Sequence, residues 1–215
     1  SVARPKSSSK ENKRMATKLM DNGVDYIELR SLDLDPFSRS GIKRETIDFL
    51  EIFIIYCSLT PSNNISDKEM EEIKHNEELV SLEGRRPGIK LKNNDIDISL
   101  TDWANEILDG MGLVASLMKK NPSILNKYRN MAIDPSKTLS GQLLKIMDKK
   151  NLGFHEVGNI FANKYKKEYL SVSQSKNNHW KRLESHCIES VKIQENIEKT
   201  ESKSFEKYMS DYFKE

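Results

Sequence analysis

Val24-Asp25-Tyr26-Ile27-Glu28-Leu29-Arg30-Ser31-Leu32-Asp33 alternates with period two. Alternation over this length predicts a β-strand across residues 24–33. It puts Tyr26, Glu28, Arg30 and Leu32 on one face, and Ile27 and Leu29 on the other. The apolar pair Ile27 and Leu29 is expected to face a core. The opposite face then offers a carboxylate and a guanidinium in neighbouring slots, about 7 Å apart, with Tyr26 alongside. A hard divalent cation takes carboxylate oxygens. A phosphoryl group takes a planar donor that stays charged. Glu28 and Arg30 are therefore a candidate pair for holding metal and phosphate together. The pair alone is weak evidence, because Glu and Arg at i, i+2 are common on solvated strands.

Working outward, residues 1–9 read as extended or loop, with Pro5 pushing Arg4 away from the α region. Residues 10–20 read as a short charged helix stopped by Asn22-Gly23. After the strand, Asp35-Pro36-Phe37-Ser38-Arg39-Ser40-Gly41 is a turn-rich connection. From residue 43 the pattern is helical almost to the end. Ile47, Leu50, Ile52, Phe53, Ile54, Ile55 and Leu59 predict a helix that is apolar nearly all round and therefore buried. Ser66-Asp67-Lys68-Glu69 matches a capping box opening a charged helix to about residue 82. Residues 89–98 are polar and ambiguous. Trp103, Ile107, Leu108, Met111, Val114 and Leu117 form roughly one helical stripe over residues 99–119. Asn121-Pro122 and Asp134-Pro135 each start a further helix by cap and N1 proline. Val157, Ile160, Phe161, Tyr165 and Tyr169 mark an amphipathic helix after the break at Asn151-Leu152-Gly153. Beyond Ser171, Trp180, Leu183, Cys187, Val191 and Ile197 keep a thin apolar stripe through a Lys/Glu-rich tail. A long exposed helix is expected there, ending in a docking cluster of Phe205, Tyr208, Met209, Tyr212 and Phe213.

Lys plus Arg number 35 against 33 for Asp plus Glu, a net charge of +2 in 215 residues. Charges so nearly balanced give no global argument for a nucleic-acid or membrane partner. No apolar stretch approaches the roughly 18 residues of a membrane span. Two cysteines, Cys57 and Cys187, make no disulfide framework. Cys57, in an apolar run, reads as a buried thiol, and the expected compartment is reducing cytoplasm. His75, His155, His179 and His186 are scattered and lack the spacing of a zinc site. The eight methionines read mostly as core filler. Asp33, Asp35 and Pro36 read as turn-shaping residues, and Arg85 and Arg86 as part of a structural loop. The first residues, lacking Met and any cap, look cut from something longer.

The string Gly23-Val24-Asp25-Tyr26-Ile27-Glu28-Leu29-Arg30-Ser31-Leu32-Asp33-Leu34-Asp35-Pro36-Phe37-Ser38 resembles the active-site strand of the proteobacterial-type glutamate–cysteine ligases. Arg4-Pro5-Lys6 before it and Leu82-Glu83-Gly84-Arg85-Arg86-Pro87-Gly88 after it are similar to that family's sequences too. The resemblance is specific over residues 23–41 and 82–88 and thin after about residue 150. It implies an α+β, glutamine-synthetase-like fold, of which this chain is a C-terminal, mostly helical part with one catalytic strand. The implied divisions are residues 1–41 as strand and flanks, 42–170 as a helical subdomain and 171–215 as an exposed tail. The implied reaction joins the γ-carboxylate of L-glutamate to L-cysteine through a γ-glutamyl phosphate, using ATP with Mg²⁺ or Mn²⁺. It is the first step of glutathione biosynthesis. Carried onto this chain, Glu28 is the metal carboxylate and Arg30 the phosphoryl contact. Arg4 and Tyr26 are weaker substrate- or ATP-binding candidates. Most of the family's site lies in an N-terminal half that this chain lacks, so the chain alone is expected to be inactive. The rivals are another carboxylate–amine ligase on the same fold and a non-enzymatic helical interaction protein.

Overall fold

The computed structural model describes residues 3–11, 13–30, 32–173 and 178–213. In chain order the elements are β1 (Ala3–Lys6), α1 (Met15–Asn22), β2 (Tyr26–Leu29), α2 (Arg44–Leu59), α3 (Asp67–Glu83), β3 (Lys90–Asn93), β4 (Ile96–Ser99), α4 (Leu100–Leu117), α5 (Asn126–Ile133), α6 (Leu139–Lys150), α7 (Phe154–Ser173), α8 (Asn178–Thr200) and α9 (Phe205–Phe213). Short 3₁₀ turns at Pro122–Leu125 and Pro135–Lys137 precede α5 and α6. The architecture is α+β, mostly helical, with two separate two-stranded sheets among the described residues. The chain divides into two units. Ser1–Asp33 with Lys166–Glu215 make the first, and Leu34–Tyr165 the second.

In the first unit, β1 and β2 pair antiparallel, with Ala3 opposite Leu29, Arg4 opposite Glu28, Pro5 opposite Ile27 and Lys6 opposite Tyr26. Among the described residues the strand is shorter than the alternation predicts, with Ser31 outside them: β1 pairs with Tyr26–Leu29 and turns away after Lys6. Pro5, which has no N–H to give a ladder, is tolerated because β1 is an edge strand. Ile27 departs from expectation. It is 47% exposed rather than facing a core. α1 starts later than expected, at Met15. Residues 7–9 lie in the loop after β1, as the sequence predicts, and Lys18 Nζ donates to the Ser9 carbonyl at 3.0 Å. Gly23, at φ 76°, stops α1. α8 is exposed along its length, as the sequence predicts. At the C-terminus of α9, Arg14 Nη2 donates to the Phe213 carbonyl at 3.1 Å, and its guanidinium lies 5.3 Å from the Phe213 ring. A cation at a helix C-terminus is well placed against the macrodipole.

The second unit holds the core. Ile52 of α2 packs against Leu108, Met111, Val114 and Ala115 of α4 and against Leu125. Phe49 stacks on Tyr128 with ring centroids 3.8 Å apart. α2 is not buried all round: Ile47 is 47% and Leu59 65% exposed. A helix covered on one side only, by α4, Leu125 and Tyr128 of α5, buries a single stripe. Cys57 therefore lies outside the core and is exposed, contrary to the sequence reading. Of the predicted α4 stripe, Leu108, Met111 and Val114 are buried and Leu117 is exposed. The methionines split likewise, with Met111 buried while Met20 and Met70 are exposed.

Residues 89–98, ambiguous in sequence, include most of a β-hairpin. β3 and β4 pair antiparallel through Asn94 and Asp95, both left-handed at φ 51° and 64°. Both central residues at positive φ match the two-residue turn that suits strand twist. α3 holds the hairpin by side chains. The Asn76 amide accepts from the Lys92 N–H at 2.8 Å and donates to its carbonyl at 2.7 Å. The Glu72 carboxylate accepts from the Asn94 and Asp95 N–H groups at 3.0 and 2.7 Å. The connection after the strand is built on Asp35, which is buried. Its carboxylate accepts from the Phe37 N–H at 2.8 Å and pairs with Lys43 at 3.1 Å. Tyr165 of α7 donates to the Pro36 carbonyl at 2.9 Å, and Phe37 meets Phe161 edge-on at 5.5 Å.

Cutting Met111 (1% exposed) to Ala removes buried methylenes at the centre of the α2–α4 contact. The expected loss is about 2–5 kcal/mol in denaturant unfolding followed by helical circular dichroism. Leu113→Ala, at a 73% exposed position of the same helix, is expected to stay within about 0.5 kcal/mol of the parent.

Candidate functional site

The β1–β2 ribbon assembles the predicted residues. Directly opposed residues in an antiparallel pair share a face. The register therefore puts Arg4 and Lys6 of β1 on the same face as Tyr26 and Glu28 of β2. Arg30 follows directly after β2. All four sequence candidates, Arg4, Tyr26, Glu28 and Arg30, thus come from one small sheet and its end.

Glu28 is held at both oxygens. Arg30 Nε donates to Oε1 in a short ion pair. Lys6 Nζ sits 3.2 Å from Oε2. The side chains are partly shielded, at 22% exposed for Lys6, 33% for Glu28 and 48% for Arg30. The Arg30 hydrogen bond, then that of Lys6, holds the Glu28 carboxyl below its ordinary range, against a smaller opposing effect of desolvation. Lys6 is the residue the sequence reading assigned no role. Its signal was the alternation of Arg4-Pro5-Lys6, which leaves both cations on one face once the segment is a strand. Tyr26 is 53% exposed beside the cluster.

A second clamp fixes where β1 ends. The Asp25 carboxylate accepts from the Ser8 N–H at 2.6 Å and the Ser8 hydroxyl at 2.7 Å, while the Asp25 N–H donates to the Lys6 carbonyl at 2.9 Å. The Ser8 N–H and then its hydroxyl lower the Asp25 pKa. Nothing local in the sequence links Asp25 to a serine 17 residues away.

The other candidates stay apart from this cluster or act structurally. Asp35 organises its loop, as expected. Arg86 pairs with Glu83 at 2.8 Å, three residues back on the turn that ends α3, which agrees with a structural loop. Among the described residues no three His, Cys, Asp or Glu side chains group to hold a metal. Glu28 fits as one oxygen ligand of a divalent cation and no more. A Mg²⁺ ion needs near-octahedral oxygen coordination, and the other charged groups beside Glu28 are cations. The cluster is better suited to an anion such as a phosphate, with Glu28 as its one carboxylate. Among the described residues, no helix is long and apolar enough to cross a membrane.

The candidate site is thus a cationic ribbon carrying a single carboxylate, on an otherwise helical α+β chain. Known proteins similar to this chain are of one kind. The family model described as "Glutamate-cysteine ligase" matches residues 1–80. The chain is 31% identical over 219 residues to a glutamate–cysteine ligase of Shewanella pealeana, matching 100% of this chain and 42% of that protein. It is 33% identical to one of Alcanivorax borkumensis, matching 99% of this chain and 42% of that one. The crystal structure of a glutamate–cysteine ligase from Francisella tularensis, in complex with AMP, superposes with a TM-score of 0.87 at 25% identity. That match covers 100% of this chain and 43% of the other. A bifunctional glutathione synthetase from Pasteurella multocida shares the fold at a TM-score of 0.59. Along its whole length the chain is similar to glutamate–cysteine ligases. It spans about 42% of the length of the curated relatives it matches.

The Glu28 carboxyl has a depressed folded-state pKa, so ionisation of Glu28 favours the paired ribbon. That contribution is present above the ordinary Glu value of about 4.3. It is lost as pH falls through the folded pKa. Carbon-detected NMR of the Glu28 carboxyl is expected to show a midpoint below the ordinary value. Arg30→Met should move it up further than Lys6→Met, because the Arg30 hydrogen bond is the larger cause.

Proposed function

We propose that this chain supplies part of the phosphoryl-transfer site of a cytoplasmic glutamate–cysteine ligase. In this reading ATP phosphorylates the γ-carboxylate of L-glutamate, and the amine of L-cysteine displaces the phosphate to give γ-glutamylcysteine. The observation that carries it is the ion-pair cluster of Arg30, Glu28 and Lys6 on the β1–β2 ribbon, in a chain similar to these ligases.

Each residue has a distinct part. Arg30 is the contact to the phosphoryl group in transfer. Its guanidinium remains charged at every working pH and spreads two donors in a plane. At 48% exposure it can leave Glu28 Oε1 for a phosphate oxygen. Glu28 supplies one carboxylate ligand to Mg²⁺ or Mn²⁺, whose remaining ligands come from outside this chain. The chemistry such an ion would supply is neutralisation of negative charge on the phosphate. Arg4, directly across the ribbon from Glu28, adds positive charge to the same face for ATP or substrate. Tyr26 lines that face. Binding of an adenine nucleotide is supported by the AMP complex of the Francisella relative. Because one carboxylate cannot assemble the metal site, this chain alone is inactive, and activity requires the rest of the ligase sequence.

The test is ADP release by the complete ligase polypeptide containing this chain, with L-glutamate, L-cysteine and Mg²⁺. Turnover is expected only with both amino acids. Glu28→Gln and Arg30→Ala should each lower kcat by about 10²-fold or more, the usual cost of a lost transition-state contact. Turnover with a different amine overturns the acceptor assignment. Variants that match the parent show that the ribbon is only structural.

A further inference from the structure

Lys6 ends β1, and its side chain is the more shielded of the two cations on Glu28, at 22% exposed against 48% for Arg30. Its backbone is fixed from three directions. The strand register sets it opposite Tyr26, and the Lys6 carbonyl accepts from the Asp25 N–H at 2.9 Å. The Asp25 carboxylate holds the N–H and hydroxyl of Ser8, two residues further on. The ammonium rides on a flexible four-carbon stem and carries three donors. The strand therefore fixes where the side chain starts, while the stem lets its charge move.

Both Glu28 oxygens are held by cations, Oε1 by Arg30 and Oε2 by Lys6. A divalent cation that takes Glu28 as a ligand needs one of those oxygens. It cannot share Oε2 with an ammonium 3.2 Å away, because like charges that close repel strongly where solvent is partly excluded. The displaced ammonium then lacks its carboxylate and lies beside added positive charge. A polyphosphate has the chemistry that resolves this, since its oxygens accept charge-assisted hydrogen bonds from an ammonium.

We propose that Lys6 occupies Oε2 of Glu28 until a divalent cation takes that oxygen, and then passes its ammonium to a phosphate oxygen of ATP. Lys6 is thereby a further phosphate contact of the site. The proposal deepens the ligase reading and rests on it for the identity of the polyphosphate. A Lys6 that only tied β1 to β2 would do neither job. The hand-over predicts two effects of opposite sign when the charge is removed: the metal ion loses a competitor, and the nucleotide loses a contact.

The experiment uses the complete ligase polypeptide containing this chain, with Lys6→Met to remove the charge while keeping an apolar stem, and Lys6→Arg as the conservative variant. Mn²⁺ alone is titrated without nucleotide, the free ion being read by electron paramagnetic resonance. ATP binding is read by equilibrium dialysis at saturating Mg²⁺. Lys6→Met is expected to bind Mn²⁺ about threefold tighter, the scale of one exposed ion pair. It should bind ATP about tenfold more weakly, the scale of one hydrogen bond to a charged group. Lys6→Arg should restore most of the ATP binding. In a Glu28→Gln background, Lys6→Met should leave Mn²⁺ binding unchanged, because the competition passes through that carboxylate. If Lys6→Met loses the parent's circular dichroism, Lys6→Gln carries the same two tests. Weaker or unchanged Mn²⁺ binding without the charge overturns the proposal, and so does unchanged ATP binding. Opposite shifts in a polypeptide that releases no ADP from glutamate, cysteine and ATP sink the ligase reading and leave the hand-over standing. Normal ADP release with both affinities unchanged in Lys6→Met does the reverse.

Discussion

A two-stranded ribbon cannot bury both of its faces, and the first unit is arranged around that constraint. Four residue pairs join β1 to β2, too few for stability in water without support. Support comes from polar clamps at the ends and middle of the ribbon. Asp25 gathers Ser8 where β1 ends, and Glu28 ties Lys6 across the strands and Arg30 along them. Exposed ion pairs of this kind contribute little energy, because solvent screens them and ordering the side chains costs entropy. They set geometry more than stability. The result is a pre-arranged cationic face around one carboxylate.

The second unit is stabilised differently. Its apolar centre is the single contact between α2 and α4, with Leu125 closing one side. Around it, side chains take over hydrogen bonds that regular structure does not supply. Asn76 pairs with the main chain of Lys92 as a neighbouring strand residue would, and Glu72 satisfies the two turn amides of the β3–β4 hairpin. Lys120, in the loop after α4, reaches Asp48 and Glu51 of α2. The core is therefore narrow, and many of its rim positions are polar links between elements.

Much of the fold was legible because it rests on local rules. Ser66, Asn121 and Asp134, read as caps from the sequence, each accept the N–H expected of one, the last two opening the 3₁₀ turns before α5 and α6. The amphipathic periods of α4 and α7 and the exposed course of α8 follow from residue spacing. The hairpin was not legible. Asn94-Asp95 lacks the glycine that usually announces such a turn, and its anchors lie about 16–23 residues away in α3. The burial of α2 was overestimated, since apolar content says how much a helix could bury and not how many neighbours it has.

The candidate site divides along the same line. Alternation and the family resemblance pointed to Glu28 and Arg30, because two residues on one strand share a face by geometry alone. The sequence could not reveal that Lys6 occupies the second oxygen of Glu28, that Asp25 anchors β1 through Ser8, or that Ile27 is left in solvent. Those outcomes depend on which segments pair and on how much surface remains for other chain to cover. Local sequence determined strand, cap and helix, whose hydrogen bonds and torsions are settled within a few residues. Only the tertiary structure decided register, ion-pair partners and exposure, because each joins groups that are distant along the chain.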